Sequence, residues 1–389
     1  MKIRTICDGV DFLGAVDWNR RLFDALIPLP DGTSYNAYLV RGSRKTALLD
    51  TVDPSQTHIL MEQLAAVPQV DYVISHHAEQ DHSGSIPAVL AKYPEAQVVT
   101  NPKCRDMLID LLGLPAHRFR LVQDGETLDL GGKTLEFLYT PWVHWPETMC
   151  TYLPEDRILF SCDFFGAHLA TSDLYVADPA LALEAAKRYY AEIMMPFRLP
   201  IRRNLDRVQQ REIRTIGPSH GPVYNQPGFI LDAYRDWASD TVKNEVVLPY
   251  VSMHGSTQKM VEHFTAALVA RGVRVHPFDL TVTDLGKLAI ALVDAATLVL
   301  AAPTVHVAPH PLAFYAAHVA NALRPKLRHA AFIGSFGWST KAPEQVAGLL
   351  PNLKVELLPP VLSRGQPGAE TCARLDDLAA AIADRHAKL

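Results

Sequence analysis

Residues 75–84 read Ser-His-His-Ala-Glu-Gln-Asp-His-Ser-Gly, and this stretch decides the fold. Four side chains that can bind a metal ion fall within six positions of it: His77, Glu79, Asp81 and His82. The apolar run 70–74 before it predicts a buried strand, and 86–93 after it predicts a helix. A loop that opens from a strand end can direct alternate side chains to one point, as a metal site requires. A polar turn that only caps the next helix is the simpler alternative, but it does not explain such a density of ligands.

Three further residues of ligand type follow predicted strands. His144 and His220 lie in proline-containing turns, and Asp163 ends the short strand 157–162. Strand-end loops of a layered fold can gather on one rim, so these residues can join the first four. A single His or Asp is usually structural, but seven ligand-type residues together suit two metal ions better than one. Asp163 is central enough in the sequence to bridge them.

The spacing His-x-Glu-x-Asp-His, followed by single His, Asp and His residues, resembles the metallo-β-lactamase-like domain of flavodiiron proteins. Hydrolytic members of that superfamily typically carry His-x-His-x-Asp-His and bind zinc, and Glu79 departs from their pattern. A carboxylate is a harder, anionic ligand that favours iron, and its charge lowers the Lewis acidity that a hydrolase needs. The resemblance extends over nearly the whole chain, including 31–39 near its start. It implies two irons with these ligands: His77, Glu79 and His144 for one, Asp81, His82 and His220 for the other, and Asp163 for both.

A second type of site begins near residue 245. The apolar strand 246–251 runs into Ser252-Met253-His254-Gly255-Ser256-Thr257, and a periodic helix covers 260–270. A loop of hydroxyls and backbone N–H groups before a helix N-terminus predicts a phosphate cradle. The sequence has neither the Walker A pattern nor Gly-x-Gly-x-x-Gly here. A simple capped helix therefore remains the alternative.

Two later strand ends favour the phosphate cradle. The strand 296–302 ends in Pro303-Thr304-Val305-His306, and 329–333 ends in the polar and aromatic loop 334–340. In a doubly wound sheet the ligand lies beyond the carboxyl ends of the strands. The second half resembles a flavodoxin, which implies flavin mononucleotide (FMN), although 305–311, with two histidines and two prolines, departs from the plainer loop expected. The predicted flavin contacts are Ser252, Met253, His254, Gly255, Ser256, Thr257, Pro303, Thr304, Val305, His306, Ser335, Phe336, Gly337, Trp338 and Ser339.

Two of these residues are aromatic and have a more specific expected place. Trp338 or Phe336 is expected beside the isoalloxazine ring of the flavin. Ordinary core packing is the alternative for Trp338. Near the metal ligands, the candidates to line an apolar gas pocket are His144, Trp145, Tyr189, Tyr190 and Phe197, and simple packing between helices is the alternative for Tyr189 and Tyr190.

Length and composition agree with two domains. The 389 residues suggest two or three domains, and the acidic junction near 236–245 is the best boundary. We predict an α/β protein: an N-terminal metallo-β-lactamase-like αββα sandwich, 1–245, followed by a C-terminal flavodoxin-like doubly wound parallel sheet, 246–389. The segment 376–388 is predicted to form a terminal helix.

Charge and cysteine content limit the partners. The net charge of −5 gives no indication of nucleic-acid binding, and the densest cationic stretch, 202–214, predicts a solvated helical face or a contact for an acidic electron donor. The N-terminus does not resemble a secretory signal, and the apolar stretch 288–302 is too short to cross a membrane. Five scattered cysteines indicate reduced thiols in the cytoplasm and exclude a rubredoxin- or ferredoxin-type module. Electrons must then come from a separate donor.

The sequence supports one function and leaves two alternatives. The resemblance implies an oxidoreductase that reduces dioxygen to water or nitric oxide to nitrous oxide at a nonhaem diiron site. FMN would feed that site from rubredoxin, a reduced deazaflavin or a flavoprotein reductase. The alternatives are a zinc-dependent hydrolase fused to a flavodoxin-like module, which Glu79 argues against, and an electron-transfer flavoprotein with a vestigial metal domain. The resemblance and the short junction also imply a head-to-tail homodimer or a dimer of dimers.

Overall fold

The computed structural model describes residues 2–389 and contains two compact units. One unit comprises the chain up to Tyr190 together with Phe197–Ala238, and the other comprises Ala191–Pro196 with Ser239–Leu389. The division after Ala238 precedes the predicted boundary at 245/246, which falls inside the strand Lys243–Tyr250.

The first unit is made of β-strands and surrounding helices. Its elements are β1 (Arg4–Cys7), β2 (Val10–Asp17), β3 (Leu22–Phe23), β4 (Ile27–Pro28), β5 (Thr33–Arg41), β6 (Thr46–Leu49), α1 (Thr57–Leu64), β7 (Tyr72–Ile74), α2 (Gln80–Ser83), α3 (Ile86–Lys92), β8 (Gln97–Thr100), α4 (Pro102–Leu112), β9 (Phe119–Leu121), β10 (Thr127–Asp129), β11 (Thr134–Tyr139), β12 (Met149–Leu153), β13 (Ile158–Cys162), α5 (Pro179–Tyr189), α6 (Arg198–Val208), β14 (Thr215–Pro218) and α7 (Gly228–Ala238). Short 3₁₀ helices occupy Pro54–Gln56 and Ala116–Arg118. A π-helical turn, Tyr190–Met194, and a 3₁₀ helix, Met195–Phe197, cover the segment Ala191–Pro196 that belongs to the other unit.

Two sheets form the centre of the first unit. One has the order β1-β2-β5-β6-β7-β8-β9 and is parallel from β6 onwards; the other has the order β10-β11-β12-β13-β14 and ends in a parallel pair. Tyr38 and Ile74 of the first sheet share an apolar core with Phe137 and Phe160 of the second. Helices α1, α3 and α4 pack on the outer face of the first sheet. β12 and β13 are buried along their whole length, as strands covered on both faces are. The predicted αββα sandwich is confirmed.

The second unit is a parallel sheet covered by helices. Its elements are β15 (Lys243–Tyr250), α8 (Ser256–Val269), β16 (Arg274–Asp279), α9 (Leu285–Leu292), β17 (Ala295–Val305), β18 (Ala308–Pro309), α10 (Pro311–Leu323), β19 (His329–Phe336), α11 (Ala342–Gly348), β20 (Glu356–Leu357), β21 (Val361–Arg364) and α12 (Ala369–His386). The sheet order is β16-β15-β17-β19-β20, with β21 also beside β19. All of these pairs are parallel.

This strand order is the one predicted for the C-terminal half. Counted along the chain it is 2-1-3-4-5, the doubly wound order of flavodoxin-like folds. Helices α8 and α12 share a core with one face of the sheet. Right-handed crossovers place α9, α10 and α11 on the other face. The carboxyl ends of β15, β17 and β19 therefore lie at the same edge.

Three segments that the sequence predicts as loops are regular structure. β17 and β19 continue past their predicted ends, at 302 and 333, to Val305 and Phe336. β17 then turns back through a two-residue hairpin into β18, and both turn residues, His306 and Val307, have positive φ angles of 48° and 71°. Within the predicted metal loop, residues 80–83 form the helical turn α2 because the backbone N–H of Ser83 reaches the carbonyl of Glu79.

The basic stretch 202–214 is exposed at Arg203 and Arg214, as predicted, whereas its other arginines are half-buried and also make contacts within the fold. Arg207 pairs with Asp124, and Arg211 pairs with Glu136 of β11. Arg202 donates to the carbonyl oxygen of Ala238, at the end of α7. These contacts attach α6 to its neighbours and give the arginines a structural role.

The structure also bears on membrane crossing and on the state of the cysteines. Among residues 2–389, no helix combines the length and the apolar character needed to cross a bilayer. The five cysteines are all free thiols.

Candidate metal centre

Strand ends on one rim of the first unit carry the ligand-type side chains. β6, β7 and β8 run parallel, so the chain leaves β7 at the edge where the carboxyl ends of these strands meet. β13 and β14 are also parallel and deliver a residue each from their carboxyl ends. The structure brings all seven predicted ligands into mutually adjacent groups: His77, Glu79, Asp81, His82, His144, Asp163 and His220.

Asp163 lies between two pairs of imidazoles. Its Oδ2 is 3.5 Å from Nε2 of His77 and 3.4 Å from Nε2 of His144. Its Oδ1 is 3.0 Å from Nε2 of His82 and 3.4 Å from Nε2 of His220. The two oxygens of one carboxylate thus face opposite pairs, as a ligand that bridges two metal ions must.

A second carboxylate completes each group. Glu79 Oε2 lies 3.1 Å from the Nε2 atoms of both His77 and His144. Asp81 places one oxygen 3.3 Å from Nε2 of His82 and the other 3.2 Å from Nε2 of His220. Ligand atoms that lie ~2.1 Å from one ion are ~3.0–3.4 Å apart in octahedral or tetrahedral geometry. The spacing within each group therefore fits one ion.

Several buried polar atoms of this cluster lack hydrogen bonds. Both side-chain oxygens of Asp81 and of Asp163, and Nε2 of His82, are shielded from solvent and have no hydrogen-bond partner among the described residues. Asp163 is only 1% exposed. An ionised carboxylate buried without a partner costs several kcal/mol (roughly) relative to water, whereas a coordinated cation removes that cost. The residues present fit a pair of metal ions, and the anionic oxygen donors favour iron over zinc.

The electrostatics of the cluster agree with this fit. Burial opposes a charge on His220 and His144, but the nearby carboxylates, Asp163 above all, prevail and raise the pKa values of these two histidines to about 10 and about 9. Burial would raise the pKa of Asp163, yet the facing imidazoles hold it well below its usual range. The bridge is therefore an ionised carboxylate that can attract cations.

Contacts behind the ligands fix the orientation of their rings. Nδ1 of His77 is 2.6 Å from Oε1 of Glu147, which also accepts the backbone N–H of Ala78 at 3.1 Å. Nδ1 of His220 is 2.7 Å from the carbonyl oxygen of Ser34. Both rings therefore turn Nε2 towards the cluster. The sequence analysis missed Glu147, although a carboxylate three residues after a metal-ligating histidine, in the same turn, was an available signal.

Aromatic side chains enclose one end of the cluster. The ring of His168 lies 5.2 Å from Phe23, 4.8 Å from Tyr189 and 4.7 Å from His220, between ring centroids. Burial and the neighbouring His220 lower the pKa of His168 well below its usual value, so this imidazole is neutral. Tyr189 thus lies beside the metal ligands, as a pocket-lining residue would.

Of the other candidates for the gas pocket, Trp145 packs against His77, with ring centroids 4.8 Å apart. Tyr190 instead packs against Tyr234 and Trp237, which agrees with the packing alternative for that residue. Phe197 stacks on Trp142, with ring centroids 6.0 Å apart.

Comparison with known proteins identifies the family. Residues 33–221 match the family model described as ODP family beta lactamase. The nitric oxide reductase of Moorella thermoacetica is 34% identical, over 98% of each chain. The rubredoxin oxygen:oxidoreductase of Desulfovibrio gigas superposes with a TM-score of 0.95 at 27% identity, over 99% of each chain. The flavodiiron protein of Giardia intestinalis superposes with a TM-score of 0.91 at 26% identity, over 100% of this chain and 97% of the other. The chain belongs to the flavodiiron protein family.

The name of the flavodiiron family denotes a flavin as well as two irons, and the second unit offers a place for it. The loops after β15, β17 and β19 lie at one edge. In the first loop Gly255 has a φ of +83° and open space around it, and α8 begins at the next residue. Oγ1 of Thr257 lies 3.0 Å from Oγ of Ser335, which joins the start of α8 to the carboxyl end of β19. A helix N-terminus with adjacent hydroxyls is suited to the phosphate of a flavin.

Some of the predicted flavin residues differ from their expected positions. Pro303 lies within β17 and Ser335 within β19, so neither is in a loop. Trp338 is 77% exposed, and the alternative of core packing within the chain is wrong. Met253 is also exposed, at 52%. Both side chains therefore offer apolar area at the edge where the strand-end loops gather.

We expect Glu147→Gln to weaken iron binding by about 10–100-fold, the usual effect of removing a contact that orients a metal-ligating histidine. The amide can still accept the N–H of Ala78 but lacks the charge that holds His77. The measurement is iron per chain during competition with a chelator. The control is Glu184→Gln on the exposed surface of α5, which should bind iron as the unmodified protein does. Equal retention by Glu147→Gln would show that the contact does not support the ligand.

Proposed function

We propose that this flavodiiron protein is an oxidoreductase that reduces dioxygen to water, nitric oxide to nitrous oxide, or both. The observation that carries this proposal is the division of the imidazoles by Asp163, with two nitrogens facing each of its oxygens. The same seven residues would hold two irons: His77, Glu79, Asp81, His82, His144, Asp163 and His220. Two irons held there would supply electrons to one small molecule, and a bound flavin, which accepts two electrons and passes them on singly, would replace them.

The chain's own residues would then set the ions and their surroundings. Asp163 would serve both irons, because its two oxygens face opposite pairs of imidazoles. Glu79 would add an anionic oxygen to the first group of ligands, which favours the oxidised state of iron. Trp145 packs edge-on against His77 at 4.8 Å, and Phe23 covers the opposite group of ligands, so apolar rings limit the access of water.

The names of two similar proteins support both gases as substrates. The Moorella thermoacetica protein is named a nitric oxide reductase, and the Desulfovibrio gigas protein an oxygen:oxidoreductase. The zinc-hydrolase alternative is disfavoured because the carboxylate of Glu79, rather than an imidazole, lies at the metal-facing position of the first group.

We propose that the electrons reach FMN from an external donor. The cysteines are free, and the metal-type clusters found among the described residues all lie at the centre described above, so no rubredoxin-like site is present there. Rubredoxin, a reduced deazaflavin or a flavoprotein reductase would serve, and the name of the Desulfovibrio gigas protein includes rubredoxin. Free thiols also accord with a cytoplasmic location.

We further propose a head-to-tail homodimer, alone or as a dimer of dimers, in which the flavin of one chain faces the irons of its partner. The supporting observation is the short connection, 239–242, between the end of α7 and the start of β15. A connection of this length gives one chain little freedom to bring its own two sites together.

Replacement of the distinguishing carboxylate tests the choice of metal. Glu79→His should bind more zinc, lose gas reduction and retain the fold, because the hydrolase ligand pattern is restored at this position. Elemental analysis, turnover with each gas under anaerobic control and circular dichroism are the measurements. Glu184→His, on the surface, is the matched control. Full activity with unchanged iron in Glu79→His would contradict the role of the carboxylate.

Removal of the proposed phosphate donors tests the flavin site. The double variant Ser256→Ala, Thr257→Ala should bind FMN at least about tenfold more weakly, since each hydrogen bond to a charged group contributes ~1.5–3 kcal/mol. Fluorescence titration of flavin-free protein gives the affinity. Thr241→Ala, at the opposite end of β15, is the control, and Ser256→Ala alone separates phosphate binding from the packing of the buried Thr257. Unchanged FMN affinity in both Ala variants would show that the loop before α8 only caps the helix.

Mixing two inactive variants tests the dimer. His220→Ala removes an iron ligand but keeps the flavin site, and the Ser256→Ala, Thr257→Ala chain keeps the iron site. A heterodimer arranged head to tail contains one junction with both sites intact, so activity should return on mixing, towards half of that of the unmodified protein per heterodimer. Native mass spectrometry of isotope-labelled chains verifies exchange. Exchange without activity would mean that electrons pass within each chain.

A further inference from the structure

One buried histidine beside the metal centre takes no part in holding it. His168 is 4% exposed, and it lies outside each of the metal-type groups found among the described residues. Its Nε2 is shielded from solvent and has no hydrogen-bond partner in the described chain. A buried polar atom without a partner is costly, so this nitrogen is suited to a partner that the protein chain itself does not supply.

Adjacent residues at the start of β5 hold two imidazoles at Nδ1, one through a side-chain hydroxyl and the other through a backbone carbonyl. Nδ1 of His168 lies 2.9 Å from Oγ1 of Thr33, and Nδ1 of His220 lies 2.7 Å from the carbonyl oxygen of Ser34. The two rings are 4.7 Å apart between centroids. Since both rings are held at Nδ1 by the same strand, their Nε2 atoms extend away from it. The Nε2 of His220 reaches the cluster, 3.2 Å from Asp81.

Aromatic rings flank His168 on two sides. The ring is flanked by Phe23 at 5.2 Å and Tyr189 at 4.8 Å, between centroids. These rings shield the imidazole from bulk solvent. When the hydroxyl of Thr33 donates to Nδ1, the neutral imidazole carries its proton on Nε2 and can donate it in a hydrogen bond.

We propose that His168 is a substrate-contacting residue. Its Nε2–H donates a hydrogen bond to the small molecule at the metal pair, on the side of the group formed by Asp81, His82 and His220. This inference rests on the proposed function and deepens it. A diatomic molecule gains negative charge as it is reduced, and a fixed donor in a site from which water is excluded stabilises that charge. His168 therefore orients the substrate and strengthens its binding.

Binding of azide, a small anion that occupies the place of the substrate on oxidised iron, tests the donor directly. The iron-loaded protein is titrated with sodium azide and followed by absorption. In His168→Leu we expect an azide Kd at least about tenfold higher, the loss expected for one hydrogen bond to a charged group. In His168→Gln, whose amide N–H can replace Nε2–H, the Kd should recover most of that loss. His58→Leu, an exposed histidine of α1, is the control and should bind azide normally.

Variants of Thr33, the hydroxyl partner of His168, provide a second test in case His168→Leu does not retain iron. Thr33→Val leaves the imidazole in place without its hydroxyl partner, whereas Thr33→Ser keeps the hydroxyl. We expect weaker azide binding in Thr33→Val than in Thr33→Ser at equal iron content. Equal Kd values for this pair, or an unchanged Kd in an iron-replete His168→Leu, would show that His168 only packs against the ligands.

Turnover of the unmodified protein separates this inference from the proposed function. If the unmodified protein reduces neither gas but azide binding depends on His168, the proposed function fails and the contact stands. If it reduces a gas, we expect His168→Leu to raise KM for that gas at least about tenfold and His168→Gln to restore it. An unchanged KM together with unchanged azide binding overturns the inference alone.

Discussion

The buried carboxylate of Asp163, surrounded by four imidazole nitrogens, is the constraint on which the rest of the centre depends. It is 1% exposed, and neither of its oxygens has a hydrogen bond among the described residues. An ionised group in this position is stable only where positive charge faces both of its oxygens. The parallel pairing of β13 with β14 places Asp163 and His220 side by side, and the turn after β7 supplies the opposite wall. The pairing of the strands thus brings the predicted ligands to one place in the sandwich.

Contacts outside the ligand set determine which nitrogen each ring presents. Glu147 fixes His77, and the carbonyl oxygen of Ser34 fixes His220. Each of these contacts occupies Nδ1, which leaves Nε2 for the metal. Thr33 binds a further imidazole, that of His168, which is not among the ligands. The start of β5 therefore orients one ligand and also the residue that we propose contacts the substrate.

Much of this architecture could be predicted from the sequence, because its strongest signals are local. Four ligand-type residues within 77–82 and strands that end in polar loops indicated the metal centre and the doubly wound sheet. Residues whose role depends on distant partners could not be found in this way. His168 is a lone histidine in the sequence. Its ring is oriented by a contact with Thr33, which lies far away in the chain. The basic stretch after residue 201 appeared solvated because its acidic partners, Asp124 and Glu136, come from other elements.

The shared carboxylate can be tested by Mössbauer spectroscopy of protein purified without oxygen and loaded with ⁵⁷Fe. The account predicts two irons per chain that are magnetically coupled, because one ligand joins them. In Asp163→Asn, whose neutral side chain binds iron less strongly, iron should fall and the coupling should weaken or disappear. Two uncoupled irons in the unmodified protein, or coupling that Asp163→Asn leaves unchanged, would contradict a centre organised around this carboxylate.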